Sequence, residues 1–356
     1  MKTLHLKLKF SFWVDAAMGK CYQSGMFTRL KSLLAAVTFG AMVASALLAV
    51  PASAQVDLSG EWGQKLHEDA FERGHGPEIG DYTGVPINDQ ARMRADTWDS
   101  EKWIEIEHEC EPHPADYAPR GPANMRVWPD LDPLTEQIVA WHTTMMWMLP
   151  QRTIYMDGRP HPPDYAVHTW EGFSTGEWEG DMLRVVTTHL KEGWVRRNGL
   201  PRSDRATMVE YFIRHGDFFT LVSLTKDPAY LTERLIRSSN WILDPGYALT
   251  PSHCIPSVEI EHAKGWVAHH LPGTNKFLHE FAEAHGVPEE AVRGGAETMY
   301  PEYESKLATM PVPPLPRNAP PKSPHGTFTD MFGDSHEVKE TDTVNPKENA
   351  KQKDKP

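Results

Sequence analysis

The sequence predicts a mainly β fold: an antiparallel barrel with a few C-terminal helices and disordered ends. Three observations carry that reading. Between Gln137 and Leu243, runs rich in β-branched and aromatic residues are separated by tight turns, among them Asp157-Gly158, Glu179-Gly180-Asp181 and His215-Gly216-Asp217. After Asp244 this pattern gives way to helical spacing. Beyond Pro311 the chain turns Pro-rich and then, from Lys339, highly charged with little apolar content, which leaves too little surface to bury for order.

The first element is a leader. Arg29 and Lys31 precede an apolar run, Leu33 to Val50, which ends in Pro51-Ala52-Ser53-Ala54. A positive start, an apolar middle and a small-residue cleavage site describe a secretory signal over 26–54, with residues 1–25 as an extension ahead of it. The apolar run is near the length of a membrane span. The A-S-A ending and the polar residues after it favour cleavage, so the expected product has no stable membrane span and is periplasmic or secreted. Residues 1–54 hold six basic side chains and one acid, so of a formal net charge of −13 the remaining 302 residues carry −18. That balance argues against nucleic acid and anionic membrane surfaces as partners. Cys110 and Cys254 remain after the leader, an even number in an oxidising compartment, and a disulfide between them is expected.

The predicted barrel domain covers 55–262. It starts with a short strand around Gly60-Glu61-Trp62, and residues 63–87 read as loop. Asn88 or Asp89 caps a helix running to about Trp98, with Ala91, Ala95 and Trp98 on one face. Six prolines between Glu111 and Pro133 describe an irregular connection. Seven or eight strands follow at a spacing that suits one sheet, closed as a barrel or folded as a sandwich. In the strand Met182–Thr188, Leu183, Val185 and Thr187 share the inward face. On the preceding strand Trp170, Gly172, Ser174, Gly176 and Trp178 lie on one side, large at the ends and hollow in the middle. A barrel with a ligand cavity would leave that hollow open; a strand bend with core tryptophans would fill it. Lys276–His285, a helix opened by Pro288, and Glu302–Met310 form a helical cover over 263–310, placed at one end of the sheet, before the tail at 311–356.

Three segments, RTIYMDGR (152–159), HTWEGFSTGEWEGD (168–181) and GLPRSD (199–204), resemble an uncharacterised family of exported bacterial β-rich proteins. The Gly60-Glu61-Trp62 start also resembles the entry strand of lipocalin-like (calycin-like) barrels. That second resemblance implies a cavity for a small, mostly apolar ligand.

Chemistry-bearing residues fall into four groups. Arg152, Tyr155, Asp157, Arg159 and His161 offer an arginine fork for an anion and an Asp/His pair for proton transfer. His168, Glu171, Ser174, Glu179 and Asp181 include Gly-x-Ser-x-Gly, but this runs into a hairpin, whereas a nucleophile elbow needs a strand-to-helix turn. Arg197, Ser203, Asp204, Arg205 and Glu210 flank a long loop with Trp194, and such loops line barrel entrances. His108, Glu109, Cys110, Glu111, His113, His253, Cys254, Glu259, Glu261 and His262 have spacings that suit zinc, but a Cys110–Cys254 disulfide removes both thiolates. The expected function is binding of a small hydrophobic or aromatic molecule through Arg152, Tyr155, Arg159, Trp170, Ser174, Trp178 and Trp194. No cofactor and no metal are expected. The alternative is a cofactor-independent hydrolase, lyase or isomerase using Asp157, His161, His168 and Asp204 inside the barrel.

Overall fold

The structure, a computed structural model, describes residues 56–65, 78–120, 124–146, 151–247, 249, 254–256 and 260–314. The segment 26–54, expected to be a signal, and nearly all of the tail lie outside these. Nine strands close into a barrel: β1 (Gly60–Lys65), β2 (Met125–Leu131), β3 (Ile138–Met145), β4 (Arg152–Tyr155), β5 (Phe173–Glu179), β6 (Met182–Thr188), β9 (Thr207–His215), β10 (Phe218–Lys226) and β11 (Leu235–Leu243). Two further strands, β7 (Gly193–Arg196) and β8 (Leu200–Arg202), form a separate hairpin between β6 and β9. Around the ring the order is strictly sequential, an up-and-down meander in which β11 pairs with β1.

Eight of the nine neighbouring pairs are antiparallel, and β4 with β5 is parallel. The antiparallel barrel expected from the sequence thus holds one parallel pair, and the cause is parity. Strand direction alternates consistently around a closed ring only if the strand number is even, so a ring of nine must contain a parallel pair. A parallel pair needs a return crossing. Here the connection from Met156 to Gly172 supplies it. The ninth strand is β2, inside the stretch expected to be irregular. Pro129 sits in β2 beside a register shift at Asp130/Leu131, where a missing ladder N–H is tolerated.

Burial alternates most plainly along β6 and β9, as the pleat requires, while β3 is buried continuously from Ala140 to Thr143; these strands line the core with their inward positions. The core is filled: Trp62, Trp141, Trp241, Met125, Phe212, Phe219, Leu183 and Ile154 are almost wholly buried in one cluster. Leu183, Val185 and Thr187 point inward as their alternation predicts. The hollow expected on β5 is occupied. A Cβ on Gly176 would lie 2.8 Å from Met156 Sδ and 3.0 Å from Ile154 Cγ2, and one on Gly172, at φ +68°, would lie 2.6 Å from the Thr188 carbonyl oxygen. These glycines admit their neighbours rather than a guest.

Beside the barrel lies a second apolar cluster. Its helix α1 (Asp89–Asp96) is capped by Asn88, whose side chain accepts from the Ala91 N–H at 2.9 Å and donates to the Ala229 carbonyl at 2.8 Å. Ala91 and Ala95 pack with Tyr82, Val195, Leu200, Tyr230 and Leu231, fixing α1 to the β7–β8 hairpin and to the β10–β11 loop. The helices α2 (Glu280–His285), α3 (Glu289–Val292) and α4 (Pro301–Leu307) hold to this layer. Tyr82 N–H donates to the Val292 carbonyl at 2.9 Å, Asn275 donates to the Asp96 carbonyl at 3.0 Å, and Arg293 pairs with Asp96. They therefore cover α1 and its flanks, the layer that packs on the β7–β8 hairpin and the β10–β11 loop. Among the described residues no helix is long and apolar enough to cross a membrane.

Candidate functional site

A cleft of about 450 Å³ lies outside the barrel, between α1, the turn Ser100–Ile104 and the β7–β8 hairpin. Four indoles wall it: Trp98, Trp103, Trp170 and Trp194. Trp103 meets Trp98 edge-on at 5.3 Å and Trp194 edge-on at 4.6 Å, and Trp170 lies 6.2 Å from Trp194. Edge-to-face packing at these distances fixes the rings against one another. Gly199 makes the arrangement possible. It turns the hairpin at φ +95°, and a Cβ there would lie 2.3 Å from Trp98 Cβ.

The cleft is also lined by Arg94, Lys102, Arg196 and Arg197. Arg94 pairs with Glu192, and Arg196 lies 3.2 Å from Asp81. The Arg197 guanidinium stands 4.5 Å from the Trp103 ring centre and 6.0 Å from that of Trp194. Lys102 lies 5.8 Å from the Trp98 ring. Glu111, also in the wall, is held by His108 at 2.6 Å.

Behind Trp194 stand Tyr117 and then His113, whose rings meet edge-on at 5.2 Å. Burial, reinforced by the Arg197 charge, pushes the His113 imidazole down to about 4. As pH falls from 6.5 towards 4 the unfolded chain takes up a proton that the folded protein refuses, so stability falls with pH across that window. The loss is at most about 3 kcal/mol, and it is complete below pH 4. We expect the His113 ring resonance to titrate near 4 by NMR, and a His113→Phe variant to lose that part of the pH dependence of its urea midpoint. A His113 titrating near 6.5 in the native protein would contradict this.

The structure brings Trp170 and Trp194, from the residues selected for binding, into this cleft, and scatters the rest. Arg152 and Ser174 are inside the barrel. Arg152 pairs with the fully buried Glu210 and donates to Thr187 Oγ1 at 2.7 Å and Ser174 Oγ at 3.1 Å, so its fork is occupied. Burial pushes the Glu210 carboxyl up, against the Arg152 charge. Trp178 packs on the barrel core. Tyr155 lies under Arg159, 3.8 Å from its ring centre, while Arg159 binds Asp157 through Nε at 2.9 Å. Asp157 is thus an exposed turn residue held by Arg159, whose hydrogen bonds pull its carboxyl down. His161 instead meets Thr188 Oγ1 at 2.7 Å and Thr175 Oγ1 at 2.9 Å, and burial with the nearby His189 pushes its imidazole down. His168 meets the Leu190 carbonyl at 3.0 Å, and Asp204 is exposed beside Ser203, which is tied to Asp227 at 2.6 Å. Asp157 and His161 do not meet as an acid/base pair, and Arg152 and His168 are engaged by different partners, Glu210 and the Leu190 carbonyl.

Cys110 and Cys254 form the expected disulfide. Of the zinc-spaced group, His253 and Glu259 lie outside the described residues, and His262 is bound by Glu101 at 2.6 Å. The sequence reading did not select Trp103, Lys102 or Arg94. It did single out Arg197, through the loop that holds Trp194. Comparison of the chain with protein-family models, with curated proteins and with solved structures finds no match.

Proposed function

We propose that this protein binds a small aromatic molecule, and that the cleft between α1 and the β7–β8 hairpin is where it does so. The observation that carries the reading is the four-indole wall around about 450 Å³ of space. A closed barrel with an appended aromatic site is compatible with lipocalin-like kinship, but the ligand would sit beside the barrel, because the interior is packed. The Met26–Ala54 signal and the Cys110–Cys254 pair support an exported, periplasmic or secreted protein. The hydrolase, lyase or isomerase alternative draws no support from the scattered Asp157, His161, His168 and Asp204.

Two fused rings bury roughly 150–200 Å² of apolar surface, which at about 25 cal/mol per Å² gives about 4–5 kcal/mol and a Kd on the order of 0.1–1 mM. Titration of the purified chain with 2-naphthamide, followed by tryptophan fluorescence and calorimetry, should show saturable binding in that range. Trp103→Ala should weaken it about tenfold or more. No binding to the wild type, or equal binding to the variant, would sink the proposal. Mass spectrometry of small molecules retained through purification from the native host would then identify the natural ligand.

A further inference from the structure

Resting on the aromatic-site reading above, we infer that the ligand is an aromatic carboxylate, with its ring among the indoles and its acid group on Arg197. The cleft has more cationic side chains than it has acids to satisfy them. Arg94 and Arg196 have carboxylate partners in Glu192 and Asp81, and Glu111 is taken by His108. Among the described residues, Lys102 and Arg197 have no carboxylate partner; each rests over an indole face. A guanidinium stacked on a ring keeps its N–H donors in its own plane, free to take a carboxylate through two parallel bonds. Arg197 is exposed at the hairpin turn, so its fork is open to an incoming group.

This local surplus stands out in a chain of net charge −13. A surface made for solubility alone would continue the prevailing sign. Two unpaired cations beside four aromatic rings instead describe a site for a flat apolar body with one negative end. The opposite polarity, an aromatic amine, would meet Arg197 and Lys102 as like charges.

The test compares 2-naphthoate with its neutral isostere 2-naphthamide by calorimetry on the folded chain, for the wild type, Arg197→Gln and Lys102→Gln. The inference expects naphthoate to bind the wild type at least tenfold tighter than naphthamide. In Arg197→Gln most of that preference, read as the ratio of the two affinities within the variant, should vanish, and saturable naphthamide binding at whatever affinity shows that the cleft is intact. Lys102→Gln should reduce the preference less. Added salt should weaken naphthoate binding only. Equal affinities for the two probes would overturn the carboxylate assignment and leave the aromatic site standing. Failure of both probes would overturn the site itself. A preference unchanged in Arg197→Gln would remove Arg197 as its source.

Discussion

Arg152→Met is expected to destabilise the protein by about 3–5 kcal/mol, the usual result of stranding one charge of a buried pair. Glu210 has no exposed surface, and Arg152, Ser174 and Thr187 form the polar layer around it inside the barrel, with the Asp116 charge also acting on it. Methionine fills the arginine stem but supplies no charge and no donor. The Glu210 carboxyl, already pushed up by burial, would then rise further. The sign of the pH effect follows. Between the unfolded and folded pKa the native state holds a proton that the unfolded chain has lost, so stability falls as pH rises through that window. The deficit of Arg152→Met should therefore grow from pH 5 to pH 8 in urea denaturation. The double variant Arg152→Met with Glu210→Leu should recover most of the loss, since a matched apolar pair is often as stable as the ions it replaces. If the single variant keeps the wild-type midpoint, or if the double variant is no better than the single, Glu210 does not depend on Arg152 as the geometry requires.

What was legible in the chain, and what was not, follows from the range of each signal. β6 was readable to the residue because Leu183, Val185 and Thr187 alternate with Arg184 and Val186, a period carried entirely within seven residues. The cap of α1 was readable because Asn88 acts on Ala91, three residues on. β2 was not, because Pro129 and its neighbouring prolines hide a strand that pairs on both sides. The parallel pair was also invisible. No local residue encodes it; it follows from the count of strands in a closed ring, and one strand had been missed. The hollow at Gly172–Gly176 was visible on β5 alone, but its filling came from Met156, Ile154 and Leu190 on other segments. The cleft follows the same logic. Trp98, Trp103, Trp170 and Trp194 come from four separate segments, and Trp103 stands on a five-residue helical turn with no period to mark it. The Lys191–Arg205 segment gave the one usable clue, since a long excursion off a meander must fold on something. It forms β7–β8 and walls the cleft.

Removing the disulfide, by Cys110→Ala with Cys254→Ala, is the second change expected to have a large effect. The bond closes a loop of 144 residues that contains every barrel strand except β1. In the chain-entropy model such a loop stabilises by about 5 kcal/mol, chiefly by restricting the unfolded chain. That is comparable with the whole net stability of many domains, so the variant should unfold at a much lower urea concentration. The mechanism predicts a second signature. Because the cross-linked unfolded chain is the more compact one, its loss should raise the dependence of stability on urea as well as lower the midpoint. The native barrel should be little altered, since its ladders run through other residues. The cleft is more exposed to the change, because His108 and Glu111, on either side of Cys110, stand in its wall. Below its melting temperature the variant should keep the far-ultraviolet spectrum of the wild type while binding 2-naphthamide more weakly. An unchanged midpoint would show that the unfolded chain gains nothing from release of the loop. An unchanged affinity would show that the Cys110 turn does not hold the cleft wall in place.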